Sequence, residues 1–368
     1  MMSPKIAPTA LILLLGLCWL LPSMTACSPP QDSVTIGAIL PLSGSASQHR
    51  VVEEGMQLAV DEINEVGGVN GSRLELLVVD NRTDPEEAKR LFAELEERHQ
   101  PLLYVSTTSL ISMALAPLAE EKQVVLMGLV VSNPVFTRER SWVFRYYVTA
   151  SHELSPTLYI LKKQQIRSLG VLYQDDPFGR SHFKLLNTAC RAKDIAVTGT
   201  PFSPRSPDFS AISAAVDKNE AVYVTGFVQL VRQAISRLRT IGYPGLILTD
   251  SGASSLPPTL AELQGVYLTA PAVYNPHYAY ARAAKERYEA RYDKPFIHQA
   301  ANGYDFINLL AGLLEGEELS RERVRELLED EFNYPGLFGA IEKQQGSHDL
   351  IFPLFPARIV DHELHYLR

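Results

Sequence analysis

The stretch from Val34 to Phe92 constrains the fold more than any other part of this chain. It runs V-T-I-G-A-I-L-P-L-S-G, then E-G-M-Q-L-A-V-D-E-I-N-E-V-G-G-V-N-G, then L-E-L-L-V-V-D-N-R-T-D-P-E-E-A-K-R-L-F. Val34 to Leu40 is a short apolar run stopped by Pro41. Between Gly55 and Val66, helical spacing puts Met56, Leu58, Ala59, Ile63 and Val66 largely on one face. Gly67-Gly68 and Asn70-Gly71 punctuate the helix end. Leu74 to Val79 is a second strand, and Asp84-Pro85 opens a helix with Glu86 and Glu87 in its first turn. Strand, helix, strand, helix in this order is the first βαβ unit of a doubly wound α/β domain. Ligands of such domains sit at the carboxyl ends of the strands, where Pro41-Leu42-Ser43-Gly44 falls.

The chain has 368 residues, more than one ordinary core accommodates, so two domains are expected. Apolar residues make up 46% and charged residues 21%, which are globular values. A net charge of −8 without a basic cluster argues against nucleic acid. The N-terminus reads as a targeting segment: Lys5, then an apolar run from Ala10 to Leu21, then Met24-Thr25-Ala26-Cys27. The last four residues resemble a bacterial lipobox, which implies cleavage before Cys27 and diacylglyceryl attachment to it. Ordinary signal cleavage near Ala26 is the alternative. Ser28 stands where retention at an inner membrane would show Asp, which leaves an outer membrane open. After removal of Cys18 and lipidation of Cys27, Cys190 is alone and is expected as a small buried residue on a helix.

Further motifs extend the alternation. They include S-x-x-S-x-A-x-A-P-L-A-E-E (109–121), S-N-P-x-x-T (132–137), V-F-R (143–145), Y-Q-D-D-P-F-G-R (173–180), L-x-x-I-G-Y ending at Tyr243, and G-Y-D (303–305). Together with the opening stretch, they resemble the leucine/isoleucine/valine-type periplasmic binding proteins, the amino-acid-binding components of ABC importers. The resemblance implies two doubly wound α/β lobes joined by a hinge of several crossovers, the type 1 periplasmic binding protein fold. The expected division is a signal peptide at 1–26 and a lipidated linker at 27–33. Lobe one is expected at 34–147 plus 273–345, and lobe two at 148–272 plus 346–368. The expected partners are a small-molecule ligand, an ABC permease, and a membrane reached through the lipid anchor. The location is the extracytoplasmic cell envelope.

The site residues are read from the loops that follow strands. Ser109 opens a helix, where free N–H groups suit a carboxylate. The resemblance places the family's carboxylate-binding serine at Ser109; simple N-capping is the alternative reading. It also places an ammonium-holding hydroxyl at Ser132 and an assisting carbonyl at Val130. Phe178 matches a lid aromatic, while Asp175 and Asp176 read as turn and cap residues. Phe227 is a candidate second aromatic wall. The family's ammonium-pairing acid has no equivalent at the matching place, which Ser251 occupies. Asp250 lies one residue earlier and can point away from the cleft. His49, with Gln48 and Arg50, falls where an aromatic contacts the ligand, and suits either a second acidic group or a solvated loop. Tyr304 faces either the cleft or the core.

No G-x-S-x-G, G-x-x-x-x-G-K-[ST], G-x-G-x-x-G, C-x-x-C or H-E-x-x-H motif occurs. No catalysis, cofactor or metal is therefore expected. The expected function is capture of an amino acid or related carboxylate for an importer. The alternative is an envelope interaction or sensor protein that uses the same fold without transport.

Overall fold

The computed structural model describes residues 33–205, 212, 216, 219–271 and 278–367. Cys27 and its surroundings lie outside the described residues. The apolar opening run forms β1 (Ser33–Leu40), buried from Ile36 to Leu40 because it is central in its sheet. It pairs in parallel with β2 (Arg73–Asp80) on one side and β3 (Leu103–Thr107) on the other. The crossovers are α1 (Arg50–Glu65) and α2 (Pro85–Arg98). Asp84 caps α2, accepting from the Glu86 N–H at 2.8 Å with Pro85 in the first turn. Helix α1 begins before Gly55, since the segment expected as a loop winds through a short 3-10 turn at Ser47–His49 straight into it.

α3 (Ser109–Lys122), β4 (Val125–Leu129) and β5 (Val143–Tyr146) complete this half. The chain then passes to a second sheet through α4 (Ala150–Lys163). There follow β6 (Ser168–Gln174), α5 (Pro177–Arg191), β7 (Ala196–Phe202), β8 (Ala221–Thr225), α6 (Val228–Thr240), β9 (Leu246–Thr249) and β10 (Tyr267–Pro271). Cys190 on α5 is fully buried, and burial pushes its thiol up to about 11, so it packs as an apolar residue.

α7 (Ala279–Tyr292), α8 (His298–Leu314) and α9 (Arg321–Glu329) come next. Ala281, Tyr288, Ala300 and Phe306 of α7 and α8 share a core with Ile36 and Ala38 of β1. Ser320 caps α9, its hydroxyl accepting from the Arg323 N–H at 3.3 Å. The sequence predicts this helix from Ser320 to Phe332, but it stops at Glu329. Phe332 instead begins a hairpin of β11 (Phe332–Gly336) and β12 (Gly339–Lys343).

The tail supplies β13 (Asp349–Leu350), β14 (Leu354–Val360) and β15 (Glu363–Tyr366). The first sheet has the order β13-β5-β4-β3-β1-β2, and the second β15-β14-β10-β9-β8-β6-β7. Strands β6 to β10 pair in parallel, and β14 runs antiparallel to β10 and β15. One boundary differs from expectation. β13 pairs with β5, so the tail stays with the first sheet past residue 346 and moves to the second only between Leu350 and Leu354. The reason is Arg145, fully buried on β5. Its N–H donates to the His348 carbonyl at 2.8 Å, and its Nε pairs with Asp349 at 2.9 Å.

Candidate functional site

On the first lobe, the site wall is built by two loops at the carboxyl ends of β3 and β4. Thr108 follows β3 at φ 64° and caps α3, its hydroxyl accepting from the Ile111 N–H at 3.4 Å. Ser109 is therefore the first helical residue, with its N–H at the positive end of a 14-residue helix. Its hydroxyl accepts from the Asn133 N–H at 3.2 Å. After β4, Val130 sits at φ 54°, a strained conformation for a β-branched residue. The strain is sustained by Arg145, whose Nη1 donates to the carbonyls of Val131 (3.2 Å) and Asn133 (2.7 Å). The buried arginine of the V-F-R motif thus sets the loop that carries Ser132. The Ser132 hydroxyl is buried and has no hydrogen-bond partner.

The second lobe supplies Phe178 from the first turn of α5 and Phe227 from the start of α6. The Asp176 side chain caps α5, accepting from the Gly179 N–H at 2.9 Å. The Phe227 N–H donates to Gln174 Oε1 at 2.8 Å. Asp250 and Ser251 follow β9. Asp250 is buried, accepting from the Thr225 hydroxyl (2.5 Å) and the Gly252 N–H (2.9 Å).

Behind Ser251 lies Glu153, a buried carboxylate from the first turn of α4. It accepts from the Ser251 hydroxyl at 2.8 Å, the Ser251 N–H at 3.1 Å and the Thr269 hydroxyl at 2.8 Å. His182 Nε2 stands 3.8 Å away, too long for a hydrogen bond but within ion-pair range. Burial alone would raise the Glu153 carboxyl. The imidazole and the hydroxyl donors outweigh it and hold Glu153 below the usual carboxylate range. Burial likewise works against the His182 cation, and Glu153 overcomes it, raising His182. Asp250 has donors of its own in Thr225 and Gly252, with His182 nearby, but they are outweighed. Burial, then the Glu153 charge, push it up to about 7.

These walls enclose one cavity of about 560 Å³, its open mouth included, a size suited to a small molecule. Ser109, Val130, Ser132 and His49 line it from the first lobe, and Phe178, Phe227, Asp250 and Ser251 from the second. Asp250 thus lines the cavity despite its one-residue offset. The lobes touch beside the cavity. Asn133 Nδ2 donates to the Pro177 carbonyl at 2.9 Å, and the Ser254 hydroxyl meets His298 Nδ1 at 3.2 Å.

Tyr304 does not reach the cavity. Its hydroxyl donates to Glu62 at 2.7 Å and accepts from Arg287 at 3.0 Å, in the core beneath α1. The start of α8 faces the cleft, and Tyr304 lies more than a turn beyond Gln299, on another side of the helix. Glu153, Tyr147 and Gln299 line the cavity although sequence reading does not single them out. Glu153 is an ordinary first-turn acid in sequence, and nothing there signals its partner Ser251.

Two α/β lobes around a cavity lined by both polar and aromatic side chains have the architecture of a solute-binding protein. Residues 33–363 match the family described as periplasmic binding protein, and the chain belongs to that family. It is an extracytoplasmic binding family, and the chain is a binding protein rather than an enzyme.

A Leu/Ile/Val-binding protein of Rhizobium johnstonii is 24% identical over 200 residues, 53% of this chain and 54% of that one. The chain thus spans about half the length of this curated relative. A leucine binding protein of Thermotoga maritima superposes with a TM-score of 0.81 at 25% identity, covering 91% of this chain and 98% of the other. An ABC-transporter solute binding protein of Rhodopseudomonas palustris, solved with 3,4-dihydroxybenzoic acid, gives 0.81 at 17% identity, covering 92% and 96%. At that identity the likeness shows the type 1 binding-protein fold alone.

Proposed function

We propose that this protein captures an amino acid or closely related carboxylate between its lobes and delivers it to an ABC importer. The observation that carries this reading is the buried, unpartnered Ser132 hydroxyl, which lines a cavity with the α3 N-terminus on one wall and Asp250 on the other. The ligand carboxylate lies at the Ser109 N–H, where the helix end favours negative charge. Its ammonium is held by the Val130 carbonyl, Ser132 and Asp250. Phe178 and Phe227 cover it. The names of the Rhizobium and Thermotoga relatives support an amino acid, and the aromatic acid in the Rhodopseudomonas structure marks how far ligands of this fold diverge.

The lobes hinge where the chain passes from one sheet to the other, and the closed form is what a permease recognises. Diacylglyceryl attachment at Cys27 tethers the protein to a membrane on its extracytoplasmic face. Several acyl chains give a stable anchor where one is marginal.

A thermal-shift screen tests the reading, using protein stripped of carried ligand by unfolding and refolding. Its panel holds amino acids, amides, dicarboxylates and aromatic acids. A ligand at 100 times its Kd stabilises by about 2.7 kcal/mol, a shift of a few degrees. Amino-acid hits support the proposal. A panel without hits, together with an envelope protein that co-purifies with both wild type and Ser132→Ala, points to an interaction protein instead.

A further inference from the structure

A second chamber lies against the first, and four residues line both: Gln48, His49, Val228 and Gln299. Three of these four leave buried polar atoms without a partner: Gln48 Nε2, His49 Nδ1 and Gln299 Oε1. His49 is 8% exposed and Gln299 5%, so neither is satisfied by bulk solvent. Unpaired buried polar groups are costly, and three on one wall mark a place where something binds.

The charge of that something follows from the surroundings. His49 immediately precedes α1, and Gln299 is the second residue of α8. Helix α8 has no capping side chain, so its positive end lies bare at this wall, whereas the Arg50 N–H at the start of α1 donates to the Ser47 carbonyl of the preceding 3-10 turn. The two helices are drawn together by paired glycines. A Cβ on Gly55 would meet the Ala300 carbonyl at 2.1 Å, and one on Gly303 the Val52 carbonyl at 2.3 Å. Arg50 lines the second chamber, its Nη2 donating to the Leu42 carbonyl (3.1 Å) rather than to a carboxylate. Lys294 lines it too, paired with Glu54. No Asp or Glu is among the described residues that line this chamber. Burial brings His49 down to about 4, so its ring is an uncharged hydrogen-bonding group near neutrality. The acidic groups, Glu153 and Asp250, line the first chamber only.

We propose that the wall shared by the two chambers, made by Gln48, His49 and Gln299 with Arg50 behind it, is a distal subsite for a second carboxylate on the ligand. The preferred ligands are then acidic amino acids rather than aliphatic ones. A carboxylate here can accept from Gln48 Nε2, from Arg50, and from His49 in the tautomer that protonates Nδ1, while Gln299 Oε1 is an acceptor and takes no part; an aliphatic side chain would pair with none of them. This inference rests on the amino-acid reading of the main cavity.

The test is calorimetric titration of the purified, refolded protein with L-glutamate, L-glutamine and L-leucine. The same titrations follow on His49→Phe and Gln48→Leu. The expected result is L-glutamate bound at least tenfold tighter than L-leucine by the wild type, with that ratio reduced or reversed in both variants. L-leucine bound as tightly as L-glutamate overturns the subsite while leaving the amino-acid reading intact. L-glutamine bound tighter than L-glutamate overturns its anionic character. Binding of none of the three, in protein that also ignores other amino acids, overturns both readings. The wild-type ratio decides the matter even if a variant fails to fold.

Discussion

The Ser251 hydroxyl donates to Glu153 at 2.8 Å, across 98 residues of sequence. This bond anchors the loop that forms the acidic side of the cavity. Removing Glu153 leaves His182 buried without its ion-pair partner and frees Ser251. Glu153→Ala is expected to lower stability by about 3–5 kcal/mol, the usual cost of breaking a buried pair from one side. Urea unfolding of the ligand-free protein measures it. A loss below 1 kcal/mol would mean that Glu153 does not hold this loop.

Asp250 gives a pH signature. Its folded value of about 7 lies above the ordinary 3.8, so between these values the folded state keeps a proton that the unfolded chain has shed. Its contribution to stability therefore falls as pH rises through this window and levels off above it. Asp305, raised to about 6, acts in the same direction. His49 and His298, lowered to about 4 and about 3, act in the opposite one. The comparison that isolates Asp250 is wild type against Asp250→Asn. The variant should gain stability relative to wild type as pH rises from about 4 to 7. An ammonium ligand favours the ionised carboxylate, so wild-type affinity should weaken below about pH 7 and the variant's should change less. Parallel pH profiles would contradict this.

The Asn133 amide joins the lobes through the Pro177 carbonyl, while its Oδ1 accepts from the Val135 N–H at 3.0 Å. Asn133→Asp keeps the second bond and loses the first. A net hydrogen bond contributes about 0.5–1.5 kcal/mol, so ligand should dissociate roughly 2–12-fold faster. Stopped-flow release measures the rate. Unchanged release would show that this bond does not secure closure.

Local signals in the sequence carried much of this architecture. Asp84-Pro85 and Ser320 mark helix starts, and both cap as their spacing implies. Strand-end loops mark Ser109, Ser132, Phe178 and Phe227, and all four line the cavity. Contacts between distant segments were not legible. Glu153 reads as a surface helix acid until α4 is packed on the second sheet. Gln299 falls before the helix that the sequence predicts at Asn302–Leu314, and nothing marks it until Gly55 and Gly303 bring α1 and α8 together. Tyr304 was open between cleft and core because α8 is buried around most of its circumference. The hairpin after Glu329 was missed because Phe332 continues the helix's apolar spacing before Pro335 ends it.

Ser132→Ala removes the hydroxyl proposed to hold a ligand group inside this cavity. The buried hydroxyl has no protein partner, so its loss should leave the melting temperature unchanged or slightly higher. Calorimetric titration with the best amino-acid hit should show affinity weakened by roughly 1–3 kcal/mol. Unchanged affinity in this variant, with the wild type binding normally, would contradict the account.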